Sequence, residues 1–152
     1  MKPLPAEAFL PDTSCMIAAV CSWHEHHPAA TEEFERRFAR GERLVVAGPA
    51  LLEAYAVLTR LPPPHRLSPE TTALLLSANF IGEDLEIATL TAGEFPRLIA
   101  SAAERNIMGG RLYDAAILAC AESAHVDSLL TFNERHFREL HGGKLRVVVP
   151  GL

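Results

Sequence analysis

The chain has 152 residues, of which 49% are apolar and 22% charged, enough for one domain with a sizeable core and unlike a disordered chain. No apolar run approaches the roughly 20 residues of a membrane helix. The opening Met1-Lys2-Pro3-Leu4-Pro5 also lacks a secretory leader, so a cytoplasmic protein is expected. The three cysteines, Cys15, Cys21 and Cys120, form no CxxC pair and read as reduced, buried side chains. The net charge of −5 runs slightly against a protein that grips nucleic acid by its phosphates, although an acidic site would supply part of that excess.

In chain order, Glu7–Leu10 reads as a first strand ending near Asp12, and Ser14–Cys21 as a short helix. The polar stretch His24-Glu25-His26-His27-Pro28 reads as a solvated loop rather than a transition-metal site. Ala29–Arg40 reads as a helix with Phe34 and Phe38 on one face, stopped by Gly41. Leu44–Ala47 has the continuous apolar run of a buried parallel strand. Gly48-Pro49 turns the chain into a helix to about Arg60, ended by Leu61-Pro62-Pro63-Pro64. Ser68-Pro69-Glu70 opens another helix with a capping serine.

Leu85–Thr89 reads as a third strand, and Thr91 with Glu94 as a capping box for a helix to about Arg105, with Pro96 unusually early in it. After Gly109-Gly110, Leu112–Ser123 is a strongly apolar helix. Asp127–Thr131, Asn133–Leu140 and Arg146–Val149 read as strand, helix and strand. Alternating helices and apolar strands predict an α/β fold, a three-layer α/β/α sandwich around a mostly parallel sheet of about five strands, with residues 1–152 as one domain. Such sheets bind ligands beyond the carboxyl ends of their strands.

Four residues are candidates for chemistry at that edge. Asp12 directly follows the first strand, although a strand-end aspartate is also an ordinary helix cap. Glu53 has mostly apolar helical neighbours, which makes an unpaired carboxylate costly there; it also suits a helix start. Asp114 opens a helix that is apolar on every face and therefore buried. Asn133 starts the helix after a strand, where asparagine is also a good cap. Three carboxylates and an amide suit Mg²⁺ or Mn²⁺ rather than zinc, and a cation so held would activate water for phosphodiester hydrolysis. Arg36, Arg37, Arg40 and Arg43 fall close together, as a patch for RNA or as an ordinary charged helix face.

Phe9-Leu10-Pro11-Asp12-Thr13-Ser14, Leu52-Glu53-Ala54, Leu112-Tyr113-Asp114-Ala115-Ala116-Ile117-Leu118-Ala119 and Leu130-Thr131-Phe132-Asn133-Glu134-Arg135-His136-Phe137 resemble, in order and spacing, the motifs of PIN-domain ribonucleases of the VapC toxin type. The resemblance implies Mg²⁺- or Mn²⁺-dependent RNA cleavage. It carries the family's acids onto Asp12, Glu53 and Asp114 as metal ligands, its fourth position onto Asn133, and a hydroxyl beside the site onto Thr131. Asparagine at the fourth position removes one charge that the family often has there. The resemblance further implies a homodimer and a small antitoxin partner. The apolar faces of Ala29–Arg40 and Pro49–Arg60 are read either as the antitoxin groove or simply as core. The alternative is a PIN-like module that binds RNA or protein without cleaving. A haloacid-dehalogenase-type enzyme needs a second aspartate where Ser14 stands, and a receiver domain needs an adjacent acidic pair that is missing.

Overall fold

The computed structural model describes residues 6–152; the leader reading of residues 1–5 lies outside them. The elements in order are β1 (Ala8–Pro11), α1 (Thr13–Val20), α2 (His27–Ala39), β2 (Arg43–Ala47), α3 (Gly48–Arg60), α4 (Pro69–Phe80), β3 (Glu86–Ala88), α5 (Glu94–Glu104), α6 (Arg111–Ser123), β4 (Ser128–Leu130), α7 (Glu134–Leu140) and β5 (Arg146–Val148). Every expected element is present, displaced by at most two residues at either end. No helix among the described residues is long and apolar enough to cross a membrane.

The five strands make one parallel sheet in the order β3-β2-β1-β4-β5. The chain builds outward from β1 through β2 to β3, then crosses back to β4 and continues to β5. Right-handed crossovers running in opposite directions place their helices on opposite faces of the sheet, which gives the layered sandwich. The same reversal puts a topological switch point between β1 and β4, and a crevice opens there beyond the carboxyl ends of the strands.

Burial explains why the central strands read as unbroken apolar runs. Phe9, Leu10, Val45, Val46, Leu129 and Leu130 are all fully buried because both faces of the sheet are covered. Phe34 and Phe38 of α2 meet Phe9 edge-on, each at 5.6 Å between ring centres. At the amino edge, Asp127 accepts a hydrogen bond from the Ala8 amide at 2.8 Å and its own amide donates to Ala8 at 2.9 Å, fixing the β1–β4 register.

The arginine cluster is paired within the protein. Arg37 is buried between Glu33 (Nε to Oε2, 3.0 Å) and Glu42 (Nη1 to Oε1, 2.8 Å). Arg36 pairs with Glu32 and Glu33, Arg40 with Glu42, and Arg43 with Glu86. Each charge is answered locally, and Glu42 and Arg43 stand at the amino end of β2, away from the crevice.

The capping box at α5 forms only by half. The Thr91 amide donates to Glu94 Oε1 at 3.1 Å, but Gly93 occupies the cap position and the helix begins at Glu94. The histidine stretch also departs from a solvated loop. His26 lies stacked on Phe132 at 4.3 Å, Trp23 on His65 at 4.0 Å, and His27 Nδ1 contacts the Ala18 carbonyl oxygen at 2.7 Å. The three cysteines are free and buried.

Candidate functional site

The crevice at the switch point is built first by backbone register. Pro11 of β1 and Leu130 of β4 lie directly opposite, so Asp12 and Thr131 emerge side by side, and the Asp12 amide still donates to Leu130 at 2.8 Å. The Asp12 side chain then caps α1. Its Oδ1 accepts from the Cys15 amide at 2.9 Å and from the Ser14 hydroxyl at 2.6 Å, while Oδ2 accepts from the Thr131 hydroxyl at 2.5 Å. The cap reading and the site reading of Asp12 are therefore compatible: one carboxylate does both.

Thr131 and Ser14 each tie two segments together. Thr131 Oγ1 also accepts from the Asn133 amide at 2.8 Å, and Ser14 Oγ accepts from the Phe132 amide at 3.1 Å. The loop after β4 is thus pinned to the start of α1 through the Asp12 carboxylate. Asn133 sits at the cap position of α7, but its side chain makes no capping bond, contrary to the cap reading.

A cavity of about 450 Å³ opens above this junction. Glu53 from α3, Asp114 from the first turn of α6 and Asn133 line it, with Thr13, Ser14, Arg111 and His136. Asp12 is buried just beneath, only 1% exposed. The structure thus brings all five residues singled out from the sequence to one edge of the sheet. It adds four polar neighbours that sequence reasoning did not single out. Ser14 sits within the first motif and His136 within the fourth, so spacing alone could have flagged both. Nothing in the sequence marks His136 as the partner of Asp114, whose Oδ2 lies 3.1 Å from His136 Nδ1.

The electrostatics of the crevice is that of carboxylates without enough positive charge. Burial pushes Asp12 up from 3.8 to about 6, against the lowering effect of its Ser14, Thr131 and Cys15 hydrogen bonds; the Asp114 charge adds to the rise. Burial also raises Glu53, with a further push from Asp114, and raises Asp114 itself, although His136 works against that. The Thr13 hydroxyl is near enough to Glu53 to favour its ionised form, yet it is buried without a hydrogen bond of normal geometry. The Arg111 Nε is likewise buried and unpartnered.

These features fit a divalent cation. The donors are hard oxygens, the acids are penalised for ionising alone, and a buried hydroxyl beside Glu53 lacks a partner. Among the described residues no three histidine, cysteine or acidic side chains close around one point. The fit is therefore to an ion that keeps several waters and takes one or two carboxylates, the usual manner of Mg²⁺.

Residues 9–142 match the PIN domain. The chain is 37% identical over 118 residues to ribonuclease VapC40 of Mycobacterium tuberculosis, covering 75% of this chain and 78% of the relative. It is 36% identical over 124 residues to ribonuclease VapC27 of the same organism, covering 82% and 83%. Among solved structures, M. tuberculosis VapC20, a toxin that cleaves the sarcin-ricin loop, superposes with a TM-score of 0.67 at 12% identity, over 84% of this chain and 92% of that one. VapBC2 of Rickettsia felis, bound to a DNA fragment from its promoter, gives 0.64 at 16% identity over 94% and 98%. FitAcB of Neisseria gonorrhoeae gives 0.57 at 12% identity over 91% and 95%. At these identities the structural likenesses speak to the fold.

The raised Asp12 pKa has a measurable consequence. Between about pH 4 and pH 6 the folded protein keeps a proton on Asp12 that the unfolded chain has released. The folded state binds more protons there, so this contribution to stability falls as pH rises through the window. In EDTA, urea unfolding across this range is expected to show wild type losing about 2–3 kcal/mol relative to Asp12→Asn, at roughly 1.4 kcal/mol per unit of pKa. Parallel stability curves for the two proteins, or a gain by wild type, would contradict the buried, charge-starved carboxylate.

Proposed function

The chain belongs to the PIN-domain family, among its VapC-type toxins, and on that premise we propose that it is a Mg²⁺- or Mn²⁺-dependent endoribonuclease, the toxin of a toxin–antitoxin pair. The observation that carries the reading is the meeting of Asp12, Glu53, Asp114 and Asn133 at the switch-point crevice. The named ribonuclease relatives support it.

In this reading Asp12 and Asp114 hold the cation, with Glu53 completing the acidic wall. When bound, the ion supplies an activated water and neutralises charge on the phosphate. Ser14 and Thr131 keep the Asp12 carboxylate oriented by donating to its two oxygens. His136 orients Asp114 in the same manner. Burial strengthens the proton affinity of Glu53, which suits it to accept a proton from the attacking water. Asn133, exposed at the rim and free of capping duty, is positioned to meet substrate or a metal-bound water. We place the protein in the cytoplasm, where its RNA substrate is made and free cysteines stay reduced.

Partners are read from two apolar grooves. The helices α2 and α3 line different cavities, so we divide the expected groove between two sites. On one side α3, α5 and α6 expose Leu52 (73%), Ile99 (58%), Phe95 (53%) and Tyr113 around a cavity of about 580 Å³. A patch of this kind on one face marks an interface, and a second copy of the chain is its proposed occupant. On the other side, Val20, Phe34, Phe38, Leu44 and Phe80 line a smaller groove between α1, α2 and α4. It shares α1 with the acidic crevice, so an antitoxin segment lying there can extend an arginine onto the carboxylates by paired, charge-assisted hydrogen bonds.

Two measurements test these readings. Purified protein is expected to cut RNA in Mg²⁺ or Mn²⁺, to stop in EDTA, and to lose about 100-fold or more in rate in Asp12→Asn or Asp114→Asn, beyond what an outer-shell partner usually contributes. Cleavage that survives EDTA or both substitutions would sink the mechanism, and an inert protein would favour a non-cleaving binding module. Light scattering is expected to give twice the 16.6 kDa chain mass for wild type and a monomer for Leu52→Asp. Phe38→Asp should instead keep the dimer and release the co-expressed antitoxin. A monomeric wild type, or antitoxin lost only from Leu52→Asp, would reject the assignment of the two grooves.

A further inference from the structure

One wall of the crevice is not acidic. Besides Glu53, Asp114 and Asn133, the same cavity is lined by Ile17, Trp23, His24, Val57 and Leu61. Trp23 belongs to the connection between α1 and α2 and keeps 45% of its surface exposed. Its ring lies flat on His65, 4.0 Å away and inclined by 20°, with His24 5.7 Å to its side. His26 stacks on Phe132 at 4.3 Å and 14°, next to the Asn133 that lines the crevice.

The aromatic wall is fixed in place before any ligand arrives. The His24 amide donates to Cys21, the His27 amide to His24, and the His26 amide to His24 Nδ1, each at 3.0 Å. The segment carrying His65 is held in the same way, with the His65 amide on Pro62 at 3.1 Å and Arg66 Nε on the Leu61 carbonyl at 2.8 Å. Ring surface that is exposed yet immobilised has already borne the cost of ordering, which favours a flat ligand. A cavity of this volume falls within the range of small-ligand sites.

We propose that Trp23 and His24 form a stacking subsite for one unpaired RNA base, in the same cavity where a cation held by Asp12 and Asp114 would receive the phosphate. This deepens, and rests on, the ribonuclease reading above. A nucleotide presents two chemistries a short distance apart: a charged phosphate that needs the cation-loaded acidic wall, and an uncharged π surface that does not. The two walls of this crevice match those two parts. Burial, then the neighbouring His26, lowers the His24 pKa, so at neutral pH it meets a base as an uncharged ring. Bases within a duplex have both faces covered by their neighbours, so the subsite selects single strands, loops or bulges. Stacking on an aromatic ring tolerates any base, so it contributes affinity and a preference for unpaired RNA rather than a sequence code.

Trp23 is the chain's single tryptophan, so its fluorescence reports on this wall alone. With wild-type protein in Mg²⁺, a short single-stranded RNA made non-cleavable in its backbone is expected to quench it saturably, and the same sequence as a duplex far less. In cleavage assays on the otherwise native protein, Trp23→Leu should raise KM about tenfold and lower kcat by less, whereas Trp23→Phe stays within about threefold of wild type. If Trp23→Leu fails to fold, the fluorescence titration decides. Labelled RNA that binds by anisotropy without altering Trp23 fluorescence would overturn the subsite while leaving the ribonuclease reading intact, as would wild-type KM in Trp23→Leu. Quenching by the antitoxin but not by RNA would assign the wall to protein and also overturn it. Wild type that neither cuts nor binds RNA would remove both readings.

Discussion

Asp12 is a carboxylate with 1% of its surface exposed, set in the seam between the carboxyl ends of two adjacent parallel strands. It caps α1 through the Cys15 amide, receives the Ser14 and Thr131 hydroxyls, and so joins the loop after β1 to the loop after β4. Few sites are worse for a lone charge, and hydrogen bonds only partly offset the burial. The rest of the crevice follows from that imbalance. Glu53 and Asp114 add two more acids at the same edge, and each is also raised by burial. An arrangement that penalises its own ionisation in the folded protein is one that a divalent cation would relieve.

The fold makes this arrangement possible without any long-range device. Reversing the direction of chain winding after β3 opens the crevice between β1 and β4, and the register Pro11 opposite Leu130 sets Asp12 beside Thr131. The buried charges at the other end of the sheet work differently. Arg37 there has both Glu33 and Glu42 in hydrogen-bonding distance, so its charges are matched within the protein. The contrast between a satisfied buried cluster and an unsatisfied one distinguishes structural charge from functional charge.

The sequence exposed most of this plan because its signals are local. The apolar runs at Leu44–Ala47 and Leu129–Leu130 announce strands covered on both faces, and Ser68 announces its helix by a cap that indeed accepts from the Thr71 amide. Two of the candidate acids were legible for the same reason, since Asp12 stands at a strand end and Asp114 in a first helical turn, while Glu53, in the second turn of α3, stood out only by its apolar helical neighbours. What stayed hidden depends on contacts between distant segments. The pairing of His136 with Asp114, the burial of Arg37, and the stacking of Trp23 on His65 join residues whose meeting no periodicity encodes. The histidine-rich connection misled for that reason: its composition is polar, but Phe132 and His65 give its rings partners. The start of α5 misled in a smaller way, with Gly93 rather than Thr91 at the cap.

The account turns on one cation at one place, and anomalous diffraction from crystals soaked in Mn²⁺ addresses it directly. The expected result is a Mn²⁺ peak in the crevice, coordinated by a carboxylate oxygen of Asp12 or Asp114, completed by waters, and absent from Asp12→Asn crystals grown in the same way. A crevice that stays empty at saturating Mn²⁺, or an ion taken up only by His24, His26 and His27, would contradict the claim that these acids were assembled to hold a metal.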